Sequence, residues 1–473
     1  MPKLKNPLRS PRRNHVLRRT LIGAAAGLLL GASQGALAQS TTCPTNFSEQ
    51  QGTLADGTPY GMRFPANWNG LLINDLDYFG ARASARTCYW LNRGYAVSGT
   101  NRHPLRSFQY DPAQEIRNLL QVADIFSGTY GNPSRIVQYG HSGGGFVALG
   151  MSETQAHRID GVVAGCAHEQ VPLMNQMLDG WFVLQKLIAP ELQITHFTDL
   201  TAVPALAVQW RAALTAAQAT PIGRARIALA ATIGQWPAWS SPAYAPPSLQ
   251  DLEALQQAMF DTAMLNAGQP GGQSRFMSEH AGGVPPASPR QLSWNTGVDY
   301  AKLFLQGENA YTRSVRELYR RAQADVADDL AVLNTSSRVQ ADPAAIAFWS
   351  EPGRTVHGTP QVPVLRFHTT GDNIVPPQII DSYEQKMRAQ QTHPQLYART
   401  LVQAPGHCTF SAAESAAAME TLLQRIETGK WPSTRPADMN ALASSLIPGS
   451  QPRFVEFRPV TYSRPDNAPP ATR

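Results

Sequence analysis

Nowhere does this 473-residue chain carry an apolar stretch of the roughly 20 residues that a membrane-spanning helix needs. The run at 21–30 falls well short, so no membrane span is expected. No internal repeat is visible, which argues against solenoids and propellers. Charged residues make up only 16%, while hydrophobic residues reach 42%, so a disordered chain is excluded and a large core is within reach. Cysteine is scarce, at four residues.

Acidic residues are absent from the first 20 positions, which carry Lys3, Lys5, Arg9, Arg12, Arg13, Arg18 and Arg19. A basic segment, a short apolar run and Ala36-Leu37-Ala38 form the pattern of a secretory signal peptide, with cleavage expected after Ala38. Arg18-Arg19 fits either a twin-arginine signal or ordinary leader charge. Cys43 has no small-residue lipobox before it, so no lipid anchor is expected. Removing residues 1–38 takes away seven basic residues and no acidic ones. That leaves 33 Lys and Arg against 34 Asp and Glu, so the net charge moves from +6 to −1. The basic character belongs to the leader, and no basic patch remains to suggest a nucleic-acid partner.

Cys43, Cys88, Cys166 and Cys408 all follow the cleavage site. An even count in an exported protein fits two disulfides, with three pairings open, or buried thiols.

Residues 53–60 read as a hairpin around Asp56-Gly57, and 71–73 as a short buried strand. A helix is predicted over 81–93, ended by Gly94, and a strand over 95–98. Asp111-Pro112 opens a helix running to 126, and strands follow at 135–139 and 161–164. Two more strands fall at 362–368 and 396–403. Strands alternating with helices predict an α/β architecture with a mostly parallel sheet flanked by helices. Between the two blocks, residues 170–360 read as helical, with starts at Thr220-Pro221, at Ser248 with Asp251, and at Asp342-Pro343. The expected organisation is a signal peptide (1–38), a first core part (39–169), a helical cap or lid (170–360), a second core part (361–430) and a proline-rich tail (431–473). Six of the nine tryptophans fall in the cap: Trp181, Trp210, Trp236, Trp239, Trp294 and Trp349. They either line an apolar pocket or fill the cap's own core.

Gly140-His141-Ser142-Gly143-Gly144 matches G-x-S-x-G between a strand and a small apolar helix at 146–151, the setting of a nucleophile elbow. A serine hydroxyl is a weak nucleophile until a base takes its proton, so a base and its orienting acid are sought downstream. Asp372, after the strand 362–368, supplies the acid, and His407, just past the last strand, supplies the base. His141, His168, His357 and His368 read as structural, though His168 could line the pocket. The developing oxyanion needs two donors. Gly143 N–H is one, and Tyr78, through its N–H or its hydroxyl, is the candidate for the other.

With these residues in place, the chain resembles the α/β-hydrolase superfamily. More narrowly, Pro65-Ala66-Asn67-Trp68-Asn69-Gly70 and the segments 140–145, 370–376 and 406–410 resemble a group of exported bacterial α/β-hydrolases. The resemblance implies the α/β-hydrolase fold with its cap inserted before the acid-bearing strand. It also implies hydrolysis of an ester, lactone, thioester or amide through an acyl-enzyme, with no metal and no organic cofactor. Its relatives commonly carry His-Gly where this chain has Asp77-Tyr78. Cys408 beside the base is similar to the tannase and feruloyl esterase group, in which such a cysteine is bonded to one beside the nucleophile. His141 occupies that neighbouring position here, so that arrangement is absent; Cys166, at the end of the strand next to the elbow strand, is still within reach of Cys408, and Cys166–Cys408 with Cys43–Cys88 is the expected pairing.

The expected activity is that of a secreted or periplasmic serine esterase on a small-molecule or polymer-derived ester, apolar or aryl. A peptidase or amidase on the same residues is the alternative, and a non-catalytic binding module of the same fold is the rival from another class.

Overall fold

The computed structural model describes residues 41–268, 273–283, 289–305 and 309–464, of which 273 and 274 as backbone only. All of these lie in the compact unit Ala38–Arg473. The leader and its cleavage point after Ala38 lie outside the described residues.

Eight strands form one sheet: β1 Phe47–Thr53, β2 Pro59–Pro65, β3 Leu71–Asp75, β4 Ala96–Thr100, β5 Arg135–His141, β6 Gly161–Gly165, β7 Val364–Gly371 and β8 Tyr397–Pro405. Their order is β1-β2-β4-β3-β5-β6-β7-β8. β1 and β2 form the hairpin that Asp56-Gly57 predicted, and β2 runs antiparallel to β4. From β4 to β8 every pairing is parallel. Six strands therefore end at one edge, where an open parallel sheet presents its functional groups.

Both faces are covered, as a parallel sheet requires. On β6, Val162 and Ala164 pack with the helices Pro112–Tyr130, Gly143–Thr154 and Ile379–Ala389. Val163 faces the other way, toward Ala85–Asn92 and Ala412–Thr428. Capping follows local chemistry. Asp111 Oδ1 accepts from Ala113 N at 2.9 Å, with Pro112 in the first helical position. The helix predicted over 81–93 is shorter because Ser84 caps it, accepting from Thr87 N. Near 250 the cap is Asp251, which takes Ala254 N, while Ser248 bonds Gln250.

Between β6 and β7 the chain runs through helices from Gln170–Leu187 to Pro343–Trp349. Helix Pro221–Ile233 is their centre. Ala225, Ala228, Ala230 and Ala231 are fully buried, so neighbouring helices close on it from several sides. Trp181, Trp210 and Trp236 interlock there, with ring centroids 4.9 and 5.6 Å apart. Trp294 and Trp349 are buried as well. Of the six tryptophans, five fill the interior and Trp239 is half-buried.

The proline-rich tail carries a helix, Pro436–Leu446, which its composition did not announce. Phe454 bridges to Val402 at the β8 edge, and Tyr462 and Arg464 are buried beyond it. Arg464 pairs with Asp179 at 3.0 Å, and Tyr300 donates to the same carboxylate at 3.0 Å. The tail is thus bonded into the helices between β6 and β7.

Candidate active site

β5 ends at His141, and the helix Gly143–Thr154 starts two residues later. Ser142 makes that reversal alone, at φ 54° and ψ −121°. A side chain there costs about 1–3 kcal/mol and persists only where the surroundings enforce it. The enforcement is steric. A Cβ on Gly140 would stand 2.3 Å from the Gly144 carbonyl, and one on Gly145 would stand 2.8 Å from Ala167 Cβ. At Gly144, the last glycine of the G-x-S-x-G match, a Cβ would come no nearer than 3.4 Å to its neighbours, so the tight position after the serine is Gly145.

His141 packs behind the elbow. Arg86 donates to its Nδ1 at 3.1 Å, so the proton sits on Nε2, 2.6 Å from the Tyr139 hydroxyl. Burial first, and the Arg86 charge second, push its pKa well below the usual histidine range. His141 is thus a neutral structural residue.

Asp372 follows β7 and is fully buried. Its Oδ1 accepts from Ile374 N at 3.0 Å and Val375 N at 2.8 Å, and its Oδ2 accepts from His407 Nδ1 at 2.7 Å. His407 Nε2 therefore keeps its lone pair. His368 adds a support that its sequence position did not reveal. It donates from Nε2 to Val375 O at 2.8 Å and lies 3.5 Å from Asp372 Oδ2. Burial lowers its pKa to about 4.

Ser142 reaches the same edge by a different route. Its N–H donates to Gly165 O at 2.9 Å. The next residue, Cys166, is disulfide-bonded to Cys408, which follows His407. Cys408 Sγ lies 3.5 Å from His407 Nε2. The second bridge joins Cys43 to Cys88. Among the described residues Ser142 Oγ makes no hydrogen bond to His407, so the structure brings Asp372 and His407 into contact and leaves Ser142 at the same sheet edge, at the end of β5. Cys166, Asp372, His407 and Cys408 also form a cluster at metal-ligand spacing, but both sulfurs are spent in the disulfide.

A cavity of about 50 Å³ opens beside Ser142 and Gly143. Among the described residues no tryptophan lines it, in keeping with the alternative in which the rings fill an interior of their own. Its walls include Arg102 and Arg106 from the loop after β4, Gln170, Leu173 and Met277 from between β6 and β7, and Val375 from beyond β7. His168 also lines it, stacked on Phe146 at 5.1 Å. Burial first, then the Arg106 charge, lower the His168 pKa to about 3. Asp77 is gripped by Arg102, at 2.6 Å from Nε and 2.8 Å from Nη2. Burial works to raise the Asp77 carboxyl, but the Arg102 hydrogen bonds and charge outweigh it and hold it below the usual range.

Tyr78 sits differently from one half of its expectation. Its hydroxyl donates to Glu49 at 3.3 Å on β1, and its ring fills the space over Gly61. The hydroxyl is occupied away from the elbow, so only its N–H, at the start of the turn Tyr78–Ala81, remains a candidate donor. His357 is exposed.

No protein-family model matches the chain. A protein described as o-phthalyl amidase, from Xanthobacter agilis, is 42% identical over 431 residues, spanning 86% of this chain and 94% of that protein. Among solved structures, feruloyl esterase B from Aspergillus oryzae aligns over 82% of this chain and 81% of its own, with 16% identity and a TM-score of 0.39. Candida antarctica lipase A aligns over 84% of both chains, with 13% identity and a TM-score of 0.36. Identity of 42% sustained along nearly the whole of both proteins fixes the kinship, and the sheet order fixes the fold. The chain is a hydrolase of the α/β-hydrolase superfamily and belongs to the same family as the Xanthobacter o-phthalyl amidase.

Proposed function

We propose that this hydrolase cleaves a carboxylic amide through an acyl-enzyme on Ser142, with His407 as base and Asp372 as the acid that orients it. The observation that carries the reading is the Asp372–His407 contact, at the same sheet edge as a serine held at φ 54°. Ser142 Oγ attacks the carbonyl carbon and gives its proton to His407 Nε2. The oxyanion accepts from Gly143 N–H at the positive end of helix Gly143–Thr154. The Tyr78 N–H is the candidate second donor. His407 then protonates the leaving nitrogen as the C–N bond breaks. Water, deprotonated by His407, releases the acid and restores the serine. The Ser–His hydrogen bond forms as substrate docks, since such bonds are commonly long in free enzymes.

The amide is placed ahead of the ester because the long relative is an amidase. Esters, which the sequence put first, use the same steps with an easier leaving group. The helices between β6 and β7 act as a cap, supported by Gln170, Leu173 and Met277 in the cavity wall. Two disulfides and the leader support work outside the cytoplasm.

The test is turnover of an o-phthalyl anilide and of p-nitrophenyl esters by the mature protein and by Ser142→Ala. The variant is expected to lose kcat by roughly 10⁶-fold. Turnover that survives in the variant, or none in the folded wild type, overturns the proposal.

A further inference from the structure

Amides and esters differ at the leaving atom. Attack on the carbonyl turns a planar amide nitrogen pyramidal, with its lone pair directed away from the attacking oxygen and from the base. His407 can protonate that nitrogen only after it inverts. An acceptor on its N–H holds the inverted form, an interaction made in the transition state and not before. An ester oxygen carries a second lone pair and no hydrogen, so it needs no such partner.

The sheet sets where that acceptor must stand. β3 and β6 lie on opposite sides of β5. The oxyanion donors proposed above, Gly143 and Tyr78, follow β5 and β3, so the scissile carbonyl points to the β3 side. A trans amide holds its N–H opposite its C=O. The N–H therefore faces the residues that follow β6.

Most of the cavity wall cannot accept a hydrogen bond. Arg102 and Arg106 are donors only, and Leu173, Met277 and Val375 are apolar. The Tyr110 hydroxyl is buried, with the Arg106 guanidinium 4.1 Å over its ring. His168 Nδ1 is buried as well, on a ring stacked against Phe146. Gln170 remains, and it lies on the side the N–H faces. It opens the helix Gln170–Leu187 after β6, is 5% exposed and lines the cavity with Ser142.

Its carboxamide is held in one orientation. Nε2 donates to Ser278 Oγ, and Ser278 is itself buried, with its carbonyl accepting from Trp349 Nε1 at 3.3 Å. The start of the helix is fixed too, because the buried Glu169 pairs with Lys386. With the nitrogen engaged on Ser278, Oε1 is the polar end left for the cavity. Among the described residues Oε1 has no hydrogen-bond partner.

We propose that Gln170 is a further catalytic residue, whose Oε1 accepts the N–H of the scissile amide and so sets amide cleavage ahead of ester cleavage. The bond forms as the nitrogen inverts, so it acts on kcat more than on KM. The proposal rests on the reading of Ser142 as nucleophile toward an amide. It supplies what that reading lacks, a group that tells an amide nitrogen from an ester oxygen.

The first experiment compares an amide and an ester of one acid with matched leaving groups. Both give the same acyl-enzyme, so kcat/KM reports only the steps up to loss of the leaving group. Gln170→Met keeps the length of the side chain and removes the acceptor. It is expected to lower kcat/KM for the amide roughly 10- to 100-fold more than for the ester, as loss of one transition-state hydrogen bond would. Equal losses in the folded variant, or a larger loss on the ester, overturn the proposal. The second gives the wild type a secondary amide and its N-methyl counterpart, which has no N–H to donate. A preference of roughly 10-fold or more for the secondary amide is expected, and Gln170→Met should narrow it. Equal rates in the wild type, or a gap that the variant leaves unchanged, overturn the proposal. Amide turnover that Ser142→Ala abolishes, without a selective loss in Gln170→Met, sinks the role of Gln170 alone. A wild type that cleaves the ester and no amide sinks the amide reading together with it.

Discussion

Asp372 divides its two carboxylate oxygens between tasks: Oδ2 accepts from His407 Nδ1 at 2.7 Å, while Oδ1 takes the backbone amides of Ile374 and Val375. The loop that follows β7 therefore aims the carboxylate, and the carboxylate aims the imidazole. Asn at 372 can keep the Oδ1 bonds and loses the acceptor toward His407. Asp372→Asn is expected to lower kcat by about 10⁴-fold with little change in KM, because the wrong imidazole tautomer is then favoured. Steady-state kinetics on any cleaved substrate check it. A loss below tenfold would mean that His407 is oriented by something else.

The Cys166–Cys408 bridge holds His407 to the strand end beside Ser142, across a sequence separation of 242. A loop that long gives a stabilisation of about 5 kcal/mol in the chain-entropy view. Replacing both residues with serine is expected to lower Tm and kcat together. Cys43→Ser with Cys88→Ser, whose separation is 45, should lower Tm while kcat holds. Equal kcat in both pairs would remove the proposed link between bridge and base.

Buried neutral histidines set an acid limit. His168 and His368 are lowered from 6.5 to about 3 and about 4 in the folded state. The unfolded chain binds more protons between 6.5 and those values, so their contribution is full above pH 6.5 and is lost as pH falls through that window. Each contributes a few kcal/mol, because a tenfold change in proton affinity corresponds to about 1.4 kcal/mol. The buried Glu115 and Asp179, whose carboxyls are raised chiefly by burial, act in the opposite sense. Urea unfolding at pH 7 and pH 4.5 should show a lower midpoint in acid, and His168→Gln should narrow that gap. An unchanged gap would mean that His168 titrates normally.

Asp179 and Arg464, joined at 3.0 Å and both buried, tie the tail to the helical segment. Removing one partner strands the other. Asp179→Asn or Arg464→Met alone is expected to cost about 3–5 kcal/mol. The double variant should lose much less than the sum, as a urea double-mutant cycle would show. Strict additivity would mean that the pair is not coupled.

Local sequence reached the elements whose causes are local. The Val162-Val163 pair in the strand at 161–164, the Asp56-Gly57 turn and the Asp111-Pro112 cap each write their structure within a few residues, and each stands where expected. The caps at Ser84 and Asp251 shifted two helix starts because several polar residues competed and only packing chose among them. The tail helix at 436–446 was hidden by flanking prolines, although Pro436 sits at a position where proline begins helices.

The candidate site divides along the same line. G-x-S-x-G, the order of Ser142, Asp372 and His407, and their places after strands were in the sequence, because an elbow needs a fixed local pattern and a parallel sheet puts strand ends on one edge. Arg102 and Arg106 precede Ser142 by about 40 residues and belong to no motif, so only the fold over the elbow shows that they meet at Gly143. His368 reads as a strand residue and becomes a neighbour of Asp372 because the chain turns back at Val375. Tryptophan content could not say whether the rings face a ligand or one another, since both choices bury the same apolar area. Packing among three helices decided for the interior. What a residue does within one turn of chain is encoded beside it, and what it meets across the fold is set by topology and close packing.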